Sequence, residues 1–476
     1  MAYTYGVLPA FTGVRMDLSE TLLDAGQSPD ACNMDTRYGD LRTAGGFSRA
    51  ASDAIQSATR FLRMFLYPTE HGVRYLAVTE NALYYYHSAQ REWRQIHTFE
   101  TALQANRIDF LPVRMQSADR LLIAHGSGQA LLYDPVTNAV TAFGSSERLS
   151  DVPVSSVELY FGRLFAAGNP LAPSRLYWSK APGADRGIDD WRADPASENV
   201  SGGFVDIGVS DDPITGLIAL SNQLLIFTQN NLFRLLGDRP GNYRVTAVDA
   251  AYQMPAHTGC VRYADRVYFL CDGGLCCYDG QTVRRPVHGA ALAPLLREAI
   301  ADSTVSAACG DTLYFAFRSN EAFSYVDTMI EYDLLRGTYM VRAGFLLADV
   351  QALRGELYAL TREGTLVKFD DSPDYDGAPI EAWWSMPVQD FGHKEADKTL
   401  LMLTASGKGN IDVRVLANGG SYLAHAHFND TAYAVTEIPL RGVGREFRLS
   451  FSNVQGAPMR LDAKAALLYD VQRRPI

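Results

Sequence analysis

Seven short apolar runs in this chain end alike, in an aromatic residue followed by a polar or turn-forming one: Tyr86-His87, Tyr133-Asp134, Trp178-Ser179, Phe233-Arg234, Tyr278-Asp279, Tyr332-Asp333 and Phe369-Asp370. Their aromatic positions stand 47, 45, 55, 45, 54 and 37 residues apart. A recurrence of that period marks one supersecondary unit written repeatedly, each copy burying its apolar faces only against its neighbours. Four of the seven aromatics precede Asp, whose carboxylate bonds the backbone two residues on and closes a tight turn where a strand stops. Trp178 and Phe233 are the weaker members and are placed partly by spacing.

Within each unit apolar residues alternate with the two-residue period of strands, and turn formers interrupt them every ~10 residues. RFLRMFLYP, VRYLAVT, ALYYYHS and REWRQIHTF are four successive strands of the first unit. RIDFLPV, DRLLIAHG, QALLYDP and AVTAFG repeat them in the second, and GCVRYAD, RVYFLCD, GLCCYDG and TVRRPV in the fifth. Seven repeats between residues 57 and 370 average about 44 residues, the length of a four-stranded propeller blade. Beyond residue 377 the spacing changes. IEAWWSMPVQDFG, KTLLMLTASG, NIDVRVLANGG, SYLAHAHFND, AVTEIPL, EFRLSFSN and MRLDAKAALLYDV read as the strands of a sandwich. The predicted fold is all-β: an approximately seven-bladed β-propeller over 57–377, with six blades as the fallback, followed by a C-terminal β-sandwich over 378–476. Residues 1–56 are loop-rich and are expected to form an arm partly packed on the propeller, one of its strands completing a blade or lying on a neighbour.

Composition narrows the function. Hydrophobic residues make up 47% and charged residues 20%, which excludes a disordered chain, and the 25 Tyr, 22 Phe and 39 Gly favour strands and turns. Acidic residues outnumber basic ones 54 to 43, for a formal charge of -11, which argues against a groove-reading nucleic-acid binder. The opening MAYTYGVLPAFTGVRMDLSE has no basic stretch leading into an apolar one, and no run reaches 18 apolar residues. The expectation is a soluble chain with no membrane span, made in the cytosol.

Several clusters invite chemistry. Cys271, Cys276 and Cys277, with Cys309 and His257 near in sequence, suggest a metal, but the run lacks paired C-x2-C knuckles, and adjacent Cys276 and Cys277 point to opposite faces of a strand. Buried free thiols are the expectation, with a metal or a bridge as the alternative. Asp370, Asp371, Asp374, Asp376 and Gly377 resemble half a calcium loop, yet the register that puts Gly377 sixth puts Trp383 where the bidentate Glu belongs. Ser406-Gly407-Lys408-Gly409 lacks the remaining residues of a phosphate loop. The pairs Asp189-Asp190 and Asp211-Asp212 read as solvated loops, and His425 and His427 share a strand face without a third ligand. No catalytic, cofactor or metal residue is assigned. Arg284-Arg285 and Arg473-Arg474, each followed by Pro, are the best places for contacts with phosphate or an acidic partner.

Three segments carry a resemblance. QSPDACNMDTRYGDLRTAGGF offers Asn33, Gly39, Leu41, Gly46 and Phe47; GRLFAAGNPLAPSRLYWSKAPGADRGIDDW offers Arg163, Pro173, Arg175, Tyr177, Ser179 and Trp191; and DPITGLIALSNQLLIFTQNNLFRLLGD follows as the next blade. Together they resemble the propeller-containing virion proteins of tailed bacteriophages, of the tail-nozzle and packaged-DNA stabilisation kind, without the inserted platform and finger elements of some nozzles. The resemblance implies a non-enzymatic structural component of the virion, assembled in the host cytoplasm. It implies a ring of its own copies, usually six, below the portal and its adaptor, with packaged double-stranded DNA passing without sequence reading. Two other readings are a carbohydrate-binding, adhesin-like tail protein, with Trp383 and Trp384 as stacking platforms, and a propeller glycosidase using a carboxylate of the central channel.

Overall fold

A computed structural model describes residues 3–51, 60–69, 72–115, 117–183, 187–249, 257–271, 273–299, 303–319, 327–428 and 434–472. Seven antiparallel sheets follow one another along the chain as blades. Six are formed by four consecutive strands; the first, for example, by Phe61–Thr69, Gly72–Thr79, Ala82–His87 and Glu92–Thr98. The innermost strands of blades 2 to 6 are Asp109–Met115, Ser156–Tyr160, Ile214–Leu220, Cys260–Tyr263 and Val305–Cys309. Blade 7 takes three strands from Leu347–Leu353, Glu356–Thr361 and Leu366–Phe369, and its fourth, Phe47–Arg49, from the opposite end of the chain. That strand closes the ring.

The second strand of each blade shows why the ring forms. Along Ala118–Ala124, Leu121 and Ile123 enter the core shared with blade 1, while Leu122 and Ala124 enter the core shared with blade 3. Leu224 and Ile226 likewise face blade 3, and Leu225 and Phe227 face blade 5. A strand buried on both faces reads as a nearly continuous apolar run, and its period-two geometry divides that run between two neighbours. Each buried Leu or Ile contributes about 2 kcal/mol, so a blade without its neighbours leaves much of its apolar surface wet. Seven such seams join blade to blade, the seventh running from Leu360 and Leu366 of blade 7 to Phe61 and Met64 of blade 1.

Four of the seven recurring aromatics, Tyr133, Trp178, Tyr278 and Phe369, end the third strand of their blade, and Tyr86 and Tyr332 stand one residue before its end. Phe233 is the exception: it lies near the start of Leu232–Leu236, three residues short of the strand end. The four predicted aspartates all make the expected turn bond, Asp134 to the Val136 N–H, Asp279 to Gln281, Asp333 to Leu335 and Asp370 to Ser372, at 2.8, 3.0, 2.9 and 2.9 Å.

Two further sheets form the sandwich. One is ordered Tyr3–Val7, Ala466–Val471, Lys398–Ala405, Thr436–Gly444; the other runs from Asp30–Cys32 through Trp383–Ser385, Phe447–Asn453, Gly407–Ala417 and Arg460–Leu461 to Leu41–Thr43 and Met34–Asp35. Residues 3–51 therefore do more than pack on the propeller: their strands enter both sandwich sheets before Phe47–Arg49 completes blade 7. The seam between blades 5 and 6 continues from Leu313, Phe315 and Tyr339, through Phe11 and Leu295 of the short helix Ala293–Arg297, into Trp384, Phe451 and Leu467 of the sandwich. Among the described residues no helix is long and apolar enough to cross a membrane.

Candidate functional site

The innermost strand of a blade presents an open edge whose backbone groups need partners. Side chains from neighbouring inner strands supply them. Asp109 accepts the Val157 N–H at 3.0 Å, Ser156 Oγ the Leu217 N–H at 3.1 Å, and Glu158 the Ala219 N–H at 3.3 Å. Where blade 7 meets blade 1, Asp349 accepts the Met64 N–H at 2.9 Å and Gln351 the Leu66 N–H at 2.8 Å. Asp349 also holds the half-buried Arg63 at 2.7 Å, and Arg63 donates to the Ile108 carbonyl at 3.2 Å. These carboxylates on the axis stitch seams.

Among the described residues one turn, His257–Gly259, crosses the bore. His257 Nε2 donates to the Ile108 carbonyl of blade 2 at 2.9 Å, while Thr258 Oγ1 donates to Thr304 at 2.7 Å and Ser306 Oγ donates to the Thr258 carbonyl at 3.0 Å on blade 6. The turn lies between two compartments. One, of about 290 Å3, is lined by Arg63, Asp109, Arg262, Ser306, Asp349 and Gln351. Beside it, burial pushes the Glu158 carboxyl up to about 7, with the Ala219 N–H opposing that rise and Asp109 adding to it. The other compartment, of about 160 Å3, forms the mouth where the inner strands begin, and Arg60, Arg318 and Arg362 surround it with Phe61, Thr258 and Val305. Asp327 is the one carboxylate within ion-pair distance of these arginines among the described residues, 3.9 Å from Arg318 Nε and 3.7 Å from Arg362. Burial pulls the Arg362 guanidinium below its ordinary value, Asp327 opposes this, and Arg318 and Arg60 add to it.

The residues of the family-like motifs lie elsewhere, in two groups. At the joint between arm, blade 6 and sandwich, Asn33 adopts φ 54° and donates to the Ala343 and Glu381 carbonyls at 3.0 and 2.8 Å. Its oxygen accepts the Ala343 N–H at 3.1 Å and the Tyr375 hydroxyl at 2.9 Å. Phe47 stacks on Tyr375 with ring centres 4.9 Å apart, and a Cβ on Gly46 would meet the Asp374 carbonyl at 1.8 Å. Leu41 is fully buried opposite Leu461, and Gly39 turns the chain at φ 82°.

The second group pins blade 3 and its excursion over 179–202. Arg163, buried, donates to the carbonyls of Ser179 at 2.7 Å, Ser201 at 2.8 Å and Asn199. Ser179 Oγ accepts the Leu164 N–H at 3.0 Å, and Tyr177 stacks on Trp191 at 5.3 Å. Arg175 pairs with Asp206 at 2.8 Å over the ring of Phe204, and the Pro173 carbonyl accepts the Ile214 N–H of blade 4 at 2.9 Å. None of these residues lines the bore.

The expectation of free thiols needs correction at one pair. Cys271 and Cys276 are joined by a disulfide across the hairpin of blade 5, because the strand register sets them diagonally on one face. Cys277 points to the other face, and Cys32, Cys260, Cys277 and Cys309 are free. Trp384 is also not a platform: it is fully buried, edge-on to Phe11. In the acidic loop Asp370 accepts the Ser48 hydroxyl at 2.6 Å, Asp374 the Gly377 N–H at 2.8 Å, and Asp376 pairs with Arg49. Asp190 and Asp212 are not solvated. Asp190 is buried against Arg192 at 2.8 Å, whose hydrogen bond holds its carboxyl down near 2, and buried Asp212 accepts from Thr228 at 2.6 Å and Asn231 at 2.6 Å. His425 pairs with Asp412, and His427 lies 2.7 Å from Asn410. Among the described residues no three His, Cys, Asp or Glu side chains are grouped to hold a metal. Arg284 is exposed and pairs with Asp279 at 3.3 Å; Arg285 is exposed beside it, and Arg473 and Arg474 lie outside the described residues.

The bore residues escaped sequence reading, although a signal was present. The first strand of several units carries a charge or hydroxyl inside its apolar run: Arg63, Asp109, Glu158, Ser306 and Asp349.

No family model matches the sequence, and no curated protein matches it. Among solved structures the chain is similar to the AfRom2 CNH domain, at 8% identity over 68% of this chain and 99% of that one, with a TM-score of 0.43. It is similar to BamB from Moraxella catarrhalis, at 10% identity over 68% and 99%, TM-score 0.39, and to YCF48 bound to D1 peptide, at 10% identity over 68% and 97%, TM-score 0.41. Likeness at such identities concerns the fold alone.

Proposed function

We propose that this chain is a structural, non-enzymatic component of a tailed-phage virion, forming a ring at the portal–tail junction or tail nozzle that helps to retain and conduct packaged DNA. The observation that supports the reading most is the interleaving of its two halves. Strands from the first 50 residues pair in both sandwich sheets and in blade 7, and one continuous core joins blades 5 and 6 to the sandwich. A unit tied at both ends without a hinge suits the wall of a load-bearing ring. The outer face of the strand Tyr3–Val7 adds a contact surface: Tyr3, Tyr5 and Val7 are 59%, 71% and 66% exposed on a sheet edge, a form of patch that heterologous contacts in a closed ring cover.

In this reading DNA passes between subunits and not along a propeller axis. A duplex whose major groove alone is about 12 Å wide cannot thread a bore of 160 and 290 Å3 compartments crossed by His257–Gly259. The net charge of -11 suits a wall past which phosphates slide, since contact releases few counterions. The ring is of six copies, with portal or adaptor proteins as neighbours. Native mass measurement of the purified chain tests assembly: a closed ring of one stoichiometry is expected, and a monomer at every concentration, also in the presence of portal-type partners, overturns the reading.

The hydrolase alternative draws on one feature, the Glu158 carboxyl raised to about 7 beside Asp109. A glycoside-hydrolysing activity abolished by Glu158→Gln would favour it over the structural role.

A further inference from the structure

We infer that the arginine-ringed mouth of the propeller bore is a binding site for a phosphate group. Arg60, Arg318 and Arg362 come from blades 1, 6 and 7, far apart in sequence, and the ring closure gathers them around one cavity of about 160 Å3. Three like charges at one mouth repel one another unless a counter-charge is present. Asp327 is the only one within ion-pair distance among the described residues, and it stands 3.7 and 3.9 Å from two of them, beyond hydrogen-bond reach. Arg318 Nε is closed off from solvent and has no acceptor among the described residues. Counted over the described residues, three guanidinium groups against one carboxylate leave the cluster at about +2, which a phosphate monoester, at about -1.5 to -2 near neutral pH, balances where a single carboxylate does not.

The chemistry of the walls agrees. Guanidinium groups present planar forks that match phosphate oxygens two at a time. Phe61, Leu62, Val305 and Leu347 line the same cavity and lower the local dielectric, which strengthens each charge-assisted bond. The Thr258 hydroxyl is already bonded to the Thr304 carbonyl, so the arginines carry the recognition. The site is too small for a duplex and admits a free phosphate or the terminal phosphate of a strand. The inference stands whether or not the chain belongs to a virion.

Calorimetric titration of the full chain with inorganic phosphate at low ionic strength tests it. One saturable site is expected, weakened at least about tenfold by Arg318→Gln and by Arg362→Gln, since hydrogen bonds to charged groups are at stake. Arg91→Gln, in an exposed turn of blade 1, leaves it unchanged, and thermal melting of each variant separates lost binding from lost folding. A second arm compares a trinucleotide bearing a 5′-phosphate with its 5′-hydroxyl form. Tighter binding of the phosphorylated strand than of inorganic phosphate assigns the site to strand ends; equal or weaker binding assigns it to the free anion. Absence of saturable binding by either phosphate probe, or binding unaltered in both folded variants, overturns the inference.

Discussion

Asn33 shows how much one side chain can join. Its amide bonds blade 6 at Ala343, the loop into the sandwich at Glu381 and the buried hydroxyl of Tyr375, while its backbone occupies the left-handed region that Asn tolerates better than most residues. Asn33→Ala strands these partners and strains the backbone, so we expect a loss of about 3 kcal/mol, read as a lower urea midpoint. Glu158 makes a different residue-scale prediction. Its carboxyl moves from an ordinary 4.5 up to about 7 in the folded protein, mainly through burial. A folded pKa above the unfolded one gives stability that is full below about pH 4.5 and lost as the pH rises through 7. Glu158→Gln keeps the shape without the charge. Its urea midpoint should match that of the parent near pH 4 and rise above it by pH 8; a gap that does not change with pH would contradict the assignment.

At the scale of elements, what the sequence reveals is local. Aspartates 134, 279, 333 and 370 were legible as turn closers because an Asx turn needs only its own next few residues. Phe233 was misplaced because spacing, and not the turn, chose it: Leu232–Leu236 runs three residues further and stops at Gly237, whose φ of 108° marks the end. The partner of blade 7 was not identifiable, since Phe47 meets Phe369 across more than 300 residues and no local pattern encodes that pairing. The bore is hidden for the same reason: Arg60, Arg318 and Arg362 become neighbours only when the ring closes. Phe47→Ala removes a ring packed against Tyr375, Phe345 and Phe369 and should cost about 3–5 kcal/mol, measured by denaturant unfolding. In the blade 5 hairpin, the Cys271–Cys276 bridge predicts that unfolding without reductant exposes the four thiols of Cys32, Cys260, Cys277 and Cys309, and that prior reduction raises the titre to six.

The whole molecule is a closed circle tied to a sandwich by its own beginning. The chain starts in the sandwich, supplies the last strand of blade 7, travels round six blades, and returns through blade 7 to the sandwich. Folding therefore waits on contacts between distant parts of the sequence, a topology that favours slow formation. In the proposed ring, a bore crossed by His257–Gly259 leaves the axis to small ligands and any larger cargo to the space between copies. Electron cryomicroscopy of intact particles that carry this chain is the most direct measurement of the proposed role. It should place several copies in one closed ring around the DNA path at the head–tail junction or tail tip, with each propeller axis off that path. Particles that lack the chain, or that hold it as isolated copies away from the DNA, would contradict it.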